Sequence, residues 1–114
     1  MKERQKSFSG SDLTLESVAV LSADSAETMT VTFKALADPT RLRLLSILLQ
    51  GECCVGDLAR LLDMSQSAVS HQMRILRDLK FVSYRREGQL VFYRIDDEHI
   101  GDLYQRSLEH SRHI

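Results

Sequence analysis

The sequence is 114 residues long, 43% hydrophobic and 27% charged, with a net charge of −1 and two cysteines. That length supports one small core and leaves little chain for the deep cleft of an enzyme, and its longest apolar runs, such as LLSILL, are far too short to cross a bilayer. The opening MKERQKSFSGSD lacks the apolar stretch of a secretion signal, so a cytoplasmic protein is expected, with Cys53 and Cys54 as thiols rather than a disulfide.

The near-neutral total conceals a polarised chain. Between Arg60 and Arg94, seven Lys or Arg stand against three acids, a balance of +4; from Asp96 onward, five acids face two arginines, a balance of −3 with histidine neutral. The first segment suits phosphate and the second a cation.

Residues 1 to 26 are polar and Ser-rich without a sustained period and read as a mobile N-terminal arm with one weak turn around LTLESVAVL. Residues 27 to 114 are expected to form the folded domain. A first helix is expected through TMTVTFKAL and a second in ADPTRLRLLSILLQG, where Asp38 can cap, Pro39 fits the first turn and Gly51 can close the helix in a left-handed conformation.

Two more helices follow, VGDLARLLD and, after a break at MS, QSAVSHQMRILRDL with Ser65 as N-cap. At helical spacing Ser70, His71, Arg74, Arg77 and Asp78 share one side of the latter, while Ala68, Val69, Met73, Ile75, Leu76 and Leu79 take the other. Only Gln72 is out of place. This is a helix-turn-helix pattern, which taken alone competes evenly with an ordinary helical hairpin carrying a solvated face. FVSYRREGQLVFYRI then alternates over two β-rich runs around Glu87-Gly88, a hairpin with a polar tip. A basic hairpin directly after a helix-turn-helix is a wing. The expected fold is therefore mainly α with a β-hairpin wing, a winged helix-turn-helix. Its expected DNA contacts are Ser65, Gln66, Ser67, Ser70, His71 and Arg74 from the helix, with Arg85, Arg86 and Gln89 on backbone phosphate or in the minor groove.

ALADPTRLRLL, SQSAVSHQ and the terminal Asp-x-His with His-x-x-His carry a family resemblance. From Phe33 to the C-terminus the chain resembles the ArsR/SmtB family of bacterial metal-responsive repressors, and in its terminal motif the zinc-sensing branch. The resemblance implies a homodimer that binds an inverted-repeat operator and is released by its inducer. The partners it implies are operator DNA and a second copy, without a membrane or an organic small-molecule substrate.

Three of the four histidines fall in the terminal DEHIGDLYQRSLEHSRHI. If residues 97 to 113 form one helix, His99, His110 and His113 share a face, yet His99 and His110 stand about 16 Å apart along the axis. Zinc bonds of about 2 Å cannot span that distance. Two such helices packed antiparallel would place Asp97 and His99 of one copy opposite His110 and His113 of the other, crossing near Tyr104 and Gln105 and making two equivalent four-ligand sites. Three imidazoles and one carboxylate suit Zn(II) and also accept Co(II). The plain alternative is a solvated helix whose last histidines complement its dipole, which leaves the paired spacing unexplained. For His71 the resemblance implies backbone nearby that can receive a hydrogen bond from a metal-bound imidazole, coupling His110 to the reading helix.

ECCVGDL resembles the family's Glu-Leu-Cys-Val-Cys-Asp-Leu thiolate segment, but Gly56 stands where the second thiolate would be, and the first 52 residues contain neither Cys nor His. Small residues packed at a helix start are the plainer reading of Cys53 and Cys54; accessory ligation, or sensing of thiol-reactive or soft-metal inducers, is the rival. A zinc hydrolase is the remote alternative, without His-Glu-x-x-His and with the Glu of EHSRH outside its histidine pair. The reading as a whole is a zinc-responsive transcriptional repressor and not an enzyme.

Overall fold

The computed structural model describes residues 14 to 113; the expectations for residues 1 to 13 lie outside them. The chain divides into two units between Thr30 and Val31. In the first, the expected weak turn is a 3-10 turn at Leu15–Ser17, closed on itself by Thr14 N donating to Ser17 Oγ at 3.1 Å and Ser17 Oγ donating to the Thr14 carbonyl at 2.8 Å. Helix α1, Ala23–Leu36, begins five residues ahead of TMTVTFKAL. Ser22 starts it there by accepting the Ser25 N–H at 3.1 Å.

In the second unit, α2 spans Pro39–Leu48, with Asp38 accepting the Arg41 N–H at 3.0 Å and Pro39 in the first turn. Its other end departs from expectation. The helix stops with Leu49 in a right-handed conformation, and Leu49, Gln50 and Gly51 return their N–H groups to Leu45, Ile47 and Leu48 at 2.9, 2.9 and 3.2 Å. Those carbonyls are already satisfied, so Gly51 has no left-handed closure to make. Its φ of +153° instead turns the chain into the next strand, a conformation that glycine adopts at least cost.

That strand, β1 at Cys53–Cys54, pairs with the wing (Cys53 with Tyr93, Cys54 with Phe92), so the hairpin is part of a three-stranded sheet of order β1-β3-β2. Helices α3, Val55–Leu62, and α4, Gln66–Asp78, follow. The turn between them is made by Asp63 in the left-handed region (φ 55°, ψ 50°), with Met64 N–H returning to the Ala59 carbonyl at 2.9 Å. Ser65 caps α4 as expected, its Oγ accepting from Ala68 N at 3.1 Å. The wing consists of β2, Val82–Glu87, and β3, Leu90–Ile95, closed by Glu87 paired with Leu90. Gly88, at φ +63°, takes the first position of the two-residue loop, where a hairpin turn of this kind demands glycine. Helix α5, Glu98–Ser111, completes the domain.

One core joins these elements: Leu44, Leu45 and Leu48 from α2, Leu58 from α3, Val69, Met73 and Leu76 from α4, Val82 and Tyr93 from the sheet, and Ile100 from α5. Each fully buried Leu contributes about 1.5–3 kcal/mol. Gln72, misplaced by helical periodicity, has a partner on α2. Its Oε1 accepts from Arg41 Nε at 2.9 Å while another Arg41 nitrogen donates to the Ala35 carbonyl at 3.0 Å, tying the last turn of α1, which lies in the second unit, to α2 and α4.

Arg41→Ala leaves two half-buried acceptors without their donor and is expected to lower stability by about 1–3 kcal/mol in urea unfolding. Arg41→Ala/Gln72→Ala should lose less than the two single changes summed; strict additivity would show that the pair is not coupled.

Candidate functional site

Complete burial of Val69, Met73 and Leu76 turns the opposite side of α4 outward. Gln66, Ser67, His71 and Arg74 are exposed, and Ser70 is half-buried. Ser65 sits at the same end, but its hydroxyl is engaged in the cap. This row begins at a helix N-terminus and presents hydroxyl, amide, imidazole and guanidinium groups, the set that reads base edges and phosphates.

The wing arginines are not equivalent. Alternate residues of a strand point to opposite faces, so Arg85 separates from Tyr84 and Arg86. Arg85 donates through Nε and a terminal nitrogen to the two carboxylate oxygens of Glu52 at 3.0 and 2.9 Å, with Glu87 farther off at 3.7 Å, and its guanidinium lies 4.5 Å from the Phe92 ring centroid. Hydrogen bonding from Arg85 is the main reason that the Glu52 carboxyl is held below its ordinary value of 4.5. Arg86 instead shares a small cleft with Arg74, Arg77 and Tyr84. Gln89 is exposed at the tip. Glu52 and Arg77 were absent from the expected site. Arg77 was visible on the polar side of α4, whereas nothing local marks Glu52, 33 residues from its partner.

On α5, Asp97 is the N-cap: its Oδ1 accepts the His99 N–H at 2.9 Å and lies 3.0 Å from His99 Nδ1. The His99 ring is otherwise open, with 89% of its side chain exposed. His110 lies in the last turn and His113 just beyond, both exposed. The expected ligands thus form two pairs at the two ends of one helix, and among the described residues no three His, Cys, Asp or Glu side chains gather into a metal site within the chain. Between the pairs, Leu103, Tyr104 and Leu108 line an apolar groove of about 440 Å³ with Phe33, Leu36 and Leu42. Phe33 is 50% exposed there.

Cys53 and Cys54 are both half-buried. Burial, and then the Asp57 carboxylate, push the Cys53 thiol above its ordinary value. Asp57 is held low chiefly by Arg60, with which it pairs, and secondly by the Cys54 thiol. Cys54 is the residue that precedes α3.

The fold and the outward face of α4 define a winged helix-turn-helix DNA-binding protein. Residues 38–84 match the family model described as bacterial regulatory protein, arsR family. Over 91 residues the chain is 50% identical to the transcriptional repressor SmtB homolog of Synechocystis sp., spanning 80% of this chain and 69% of that one. It is 42% identical over 83 residues to the cadmium resistance transcriptional regulatory protein CadC homolog of Staphylococcus aureus, spanning 72% and 69%. A solved homodimeric winged helix-turn-helix DNA-binding domain from Mycobacterium bovis, a possible ArsR-family transcriptional regulator, is similar with a TM-score of 0.69 and 30% identity, over 83% of this chain and 91% of that one. The chain belongs to the ArsR/SmtB family of metal-responsive transcriptional repressors. It is a regulator and not an enzyme.

The Glu52–Arg85 pair has a pH signature. A carboxyl held low in the folded state adds stability that is present above its unfolded value and is lost as pH falls through the folded one. In a carbon-13 NMR titration Glu52 should titrate below 4.5, and Arg85→Gln should bring it back to the ordinary carboxylate range. An unchanged Glu52 midpoint in that variant would mean that the pair does not persist in solution.

Proposed function

We propose that this protein is a zinc-responsive repressor whose metal-free homodimer holds an inverted-repeat operator and leaves it when zinc binds between two copies of α5. The observation that carries this reading is the division of the ligands on α5: Asp97 with His99 at one end, His110 with His113 at the other, and an apolar groove open between them. A second α5 laid antiparallel along that groove would cover Leu103, Tyr104 and Leu108 and bring each ligand pair to its complement. The homodimeric state of the similar Mycobacterium bovis domain supports such a pairing.

The donor set fits the metal. Three imidazoles and one carboxylate favour Zn(II), with Co(II) as a substitute, over ions that prefer thiolate. Asp97 would bring a carboxylate oxygen already positioned beside the His99 ring. Of the rival thiols, Cys53 is disfavoured as a ligand, because burial raises its pKa and so works against the thiolate, which is the ligand and the nucleophile. Cadmium is the competing inducer to test, given the name of the Staphylococcus aureus relative. Operator DNA and a second copy are the proposed partners and the cytoplasm the proposed location; among the described residues no helix is long and apolar enough to cross a membrane.

The direct test is an operator-binding titration of the metal-free protein, repeated with zinc, cobalt, nickel and cadmium. Zinc should weaken operator binding by about 5- to 150-fold, the range of ordinary allosteric coupling. His99→Ala and His113→Ala should weaken zinc binding and leave metal-free operator binding nearly intact, since α4 carries the reading face. Loss of metal-free binding in either variant would contradict that separation.

Mixing subunits tests the shared site. His99→Ala and His110→Ala homodimers should each have both sites damaged. In their heterodimer both lesions fall in one site and the other is whole, so purified heterodimer should bind about one zinc per dimer with near-native affinity. A heterodimer that binds no better than its parents would exclude the antiparallel arrangement.

A further inference from the structure

The cleft between α4 and the wing is lined by Ser70, Arg74 and Arg77 of the helix and by Tyr84 and Arg86 of β2, and its volume is about 200 Å³. Its composition follows from two periodicities. Ser70, Arg74 and Arg77 are four and then three positions apart, one stripe of a helix. Tyr84 and Arg86 are two apart, one face of a strand, and their β3 partners Tyr93 and Val91 lie in the same cleft. Three arginines line the cleft, and no acidic residue does. Like charges gathered in a cleft repel one another and focus a positive field that an anion relieves.

Arg77 is also held in place. Its guanidinium carbon lies 5.1 Å from the centroid of Tyr84, whose ring packs on Tyr93 at 5.7 Å. Stacking occupies the flat face of the guanidinium and leaves N–H groups at its edge to donate. Its nearest acid, Asp78, is 3.8 Å away and 74% exposed, which makes a weak competitor for those donors. The volume is below the roughly 300–1,000 Å³ of pockets that enclose organic ligands. A single tetrahedral oxyanion fits inside with room for its hydrating water, and its charge suits the arginines.

We propose that this cleft seats one DNA backbone phosphate, gripped by Arg74, Arg77 and Arg86 beside the reading face, and that Arg85 is a positioning residue that ties the wing to Glu52 instead of contacting phosphate. The proposal rests on the DNA-binding reading and adds to it which arginines carry the electrostatic contact and which does not. A free phosphate ion offers the same chemistry, but the cleft adjoins the exposed row from Ser67 to Arg74, and that position favours a phosphate of the duplex being read.

The test measures binding of the metal-free full-length protein to operator and to unrelated duplex over a range of KCl, for the wild type and for Arg77→Gln, Arg86→Gln and Arg85→Gln. Arg77→Gln and Arg86→Gln should each weaken both duplexes and flatten the dependence of log K on log salt by about 1, the loss of one phosphate contact. Arg85→Gln should keep the wild-type slope. The proposal is overturned if wild type binds DNA while the Arg77 and Arg86 variants keep its slope, or if Arg85→Gln flattens it equally. Saturable binding of inorganic phosphate, lost in Arg86→Gln while DNA slopes stay unchanged, would assign the cleft to the free ion and also overturn it. A wild type that binds neither duplex would instead remove the DNA-binding reading on which this rests.

Discussion

Val69, Met73 and Leu76 lie at 0% exposure along one side of α4, and with all three inserted into the core the helix cannot rotate about its axis. A turn of 100° would expose a Leu and bury a guanidinium, and an unpaired buried charge costs far more than any surface contact returns. The outward row from Gln66 to Arg77 is therefore a direct consequence of packing. The wing inherits its position from the same seam, because Phe81 and Val82, which lead into β2, are buried in the core that α4 closes.

Most of this could be read from local chemistry. The caps at Asp38 and Ser65, the periodicity of α4 and the alternation of the hairpin depend on residues within one or two turns of each other, and the structure follows them. What escaped reading depends on distant partners. Two residues such as Cys53 and Cys54 carry no strand pattern of their own and become a strand only because β3 lies alongside. Gln72 looked misplaced until Arg41, 31 residues away, supplied its donor. Arg85 and Arg86 were expected in one role although strand alternation puts them on opposite faces, because nothing local reveals that Glu52 holds the former. The expected ligands could be read as a spacing, and a single chain keeps them as two pairs, as an eleven-residue separation along a rigid helix requires.

The outward face of α4 and helix α5 are distinct in space yet share one core. Ile100, in the first turn of α5, is buried with the α4 stripe, and Gly101 lies so close to α2 that a methyl group there would meet Leu49 at 3.1 Å. The residue between β3 and α5 is fastened to the link between α4 and β2 as well, with Asp96 N donating to the Phe81 carbonyl at 3.0 Å. A shift of α5 at its Asp97 end would thus press on packed side chains, and close-packed interiors transmit such strain rather than absorb it. Any resulting coupling acts equally in both directions, so DNA that favours one arrangement weakens the ion that favours the other.

The wing also limits how such a chain can change length. Its two-residue loop at Gly88–Gln89 lies far from the core, and each residue pair added at the tip would extend the hairpin by roughly 3.3 Å while preserving the face that every side chain occupies. One residue inserted into β2 before Arg85 has a different effect. Parity reverses for the outer half of the strand, moving the guanidinium that meets Glu52 toward α4 and turning the one beside Arg77 away. A change of length in this wing is thus less disruptive at the tip, whereas an odd step within the strand would exchange the faces of Arg85 and Arg86.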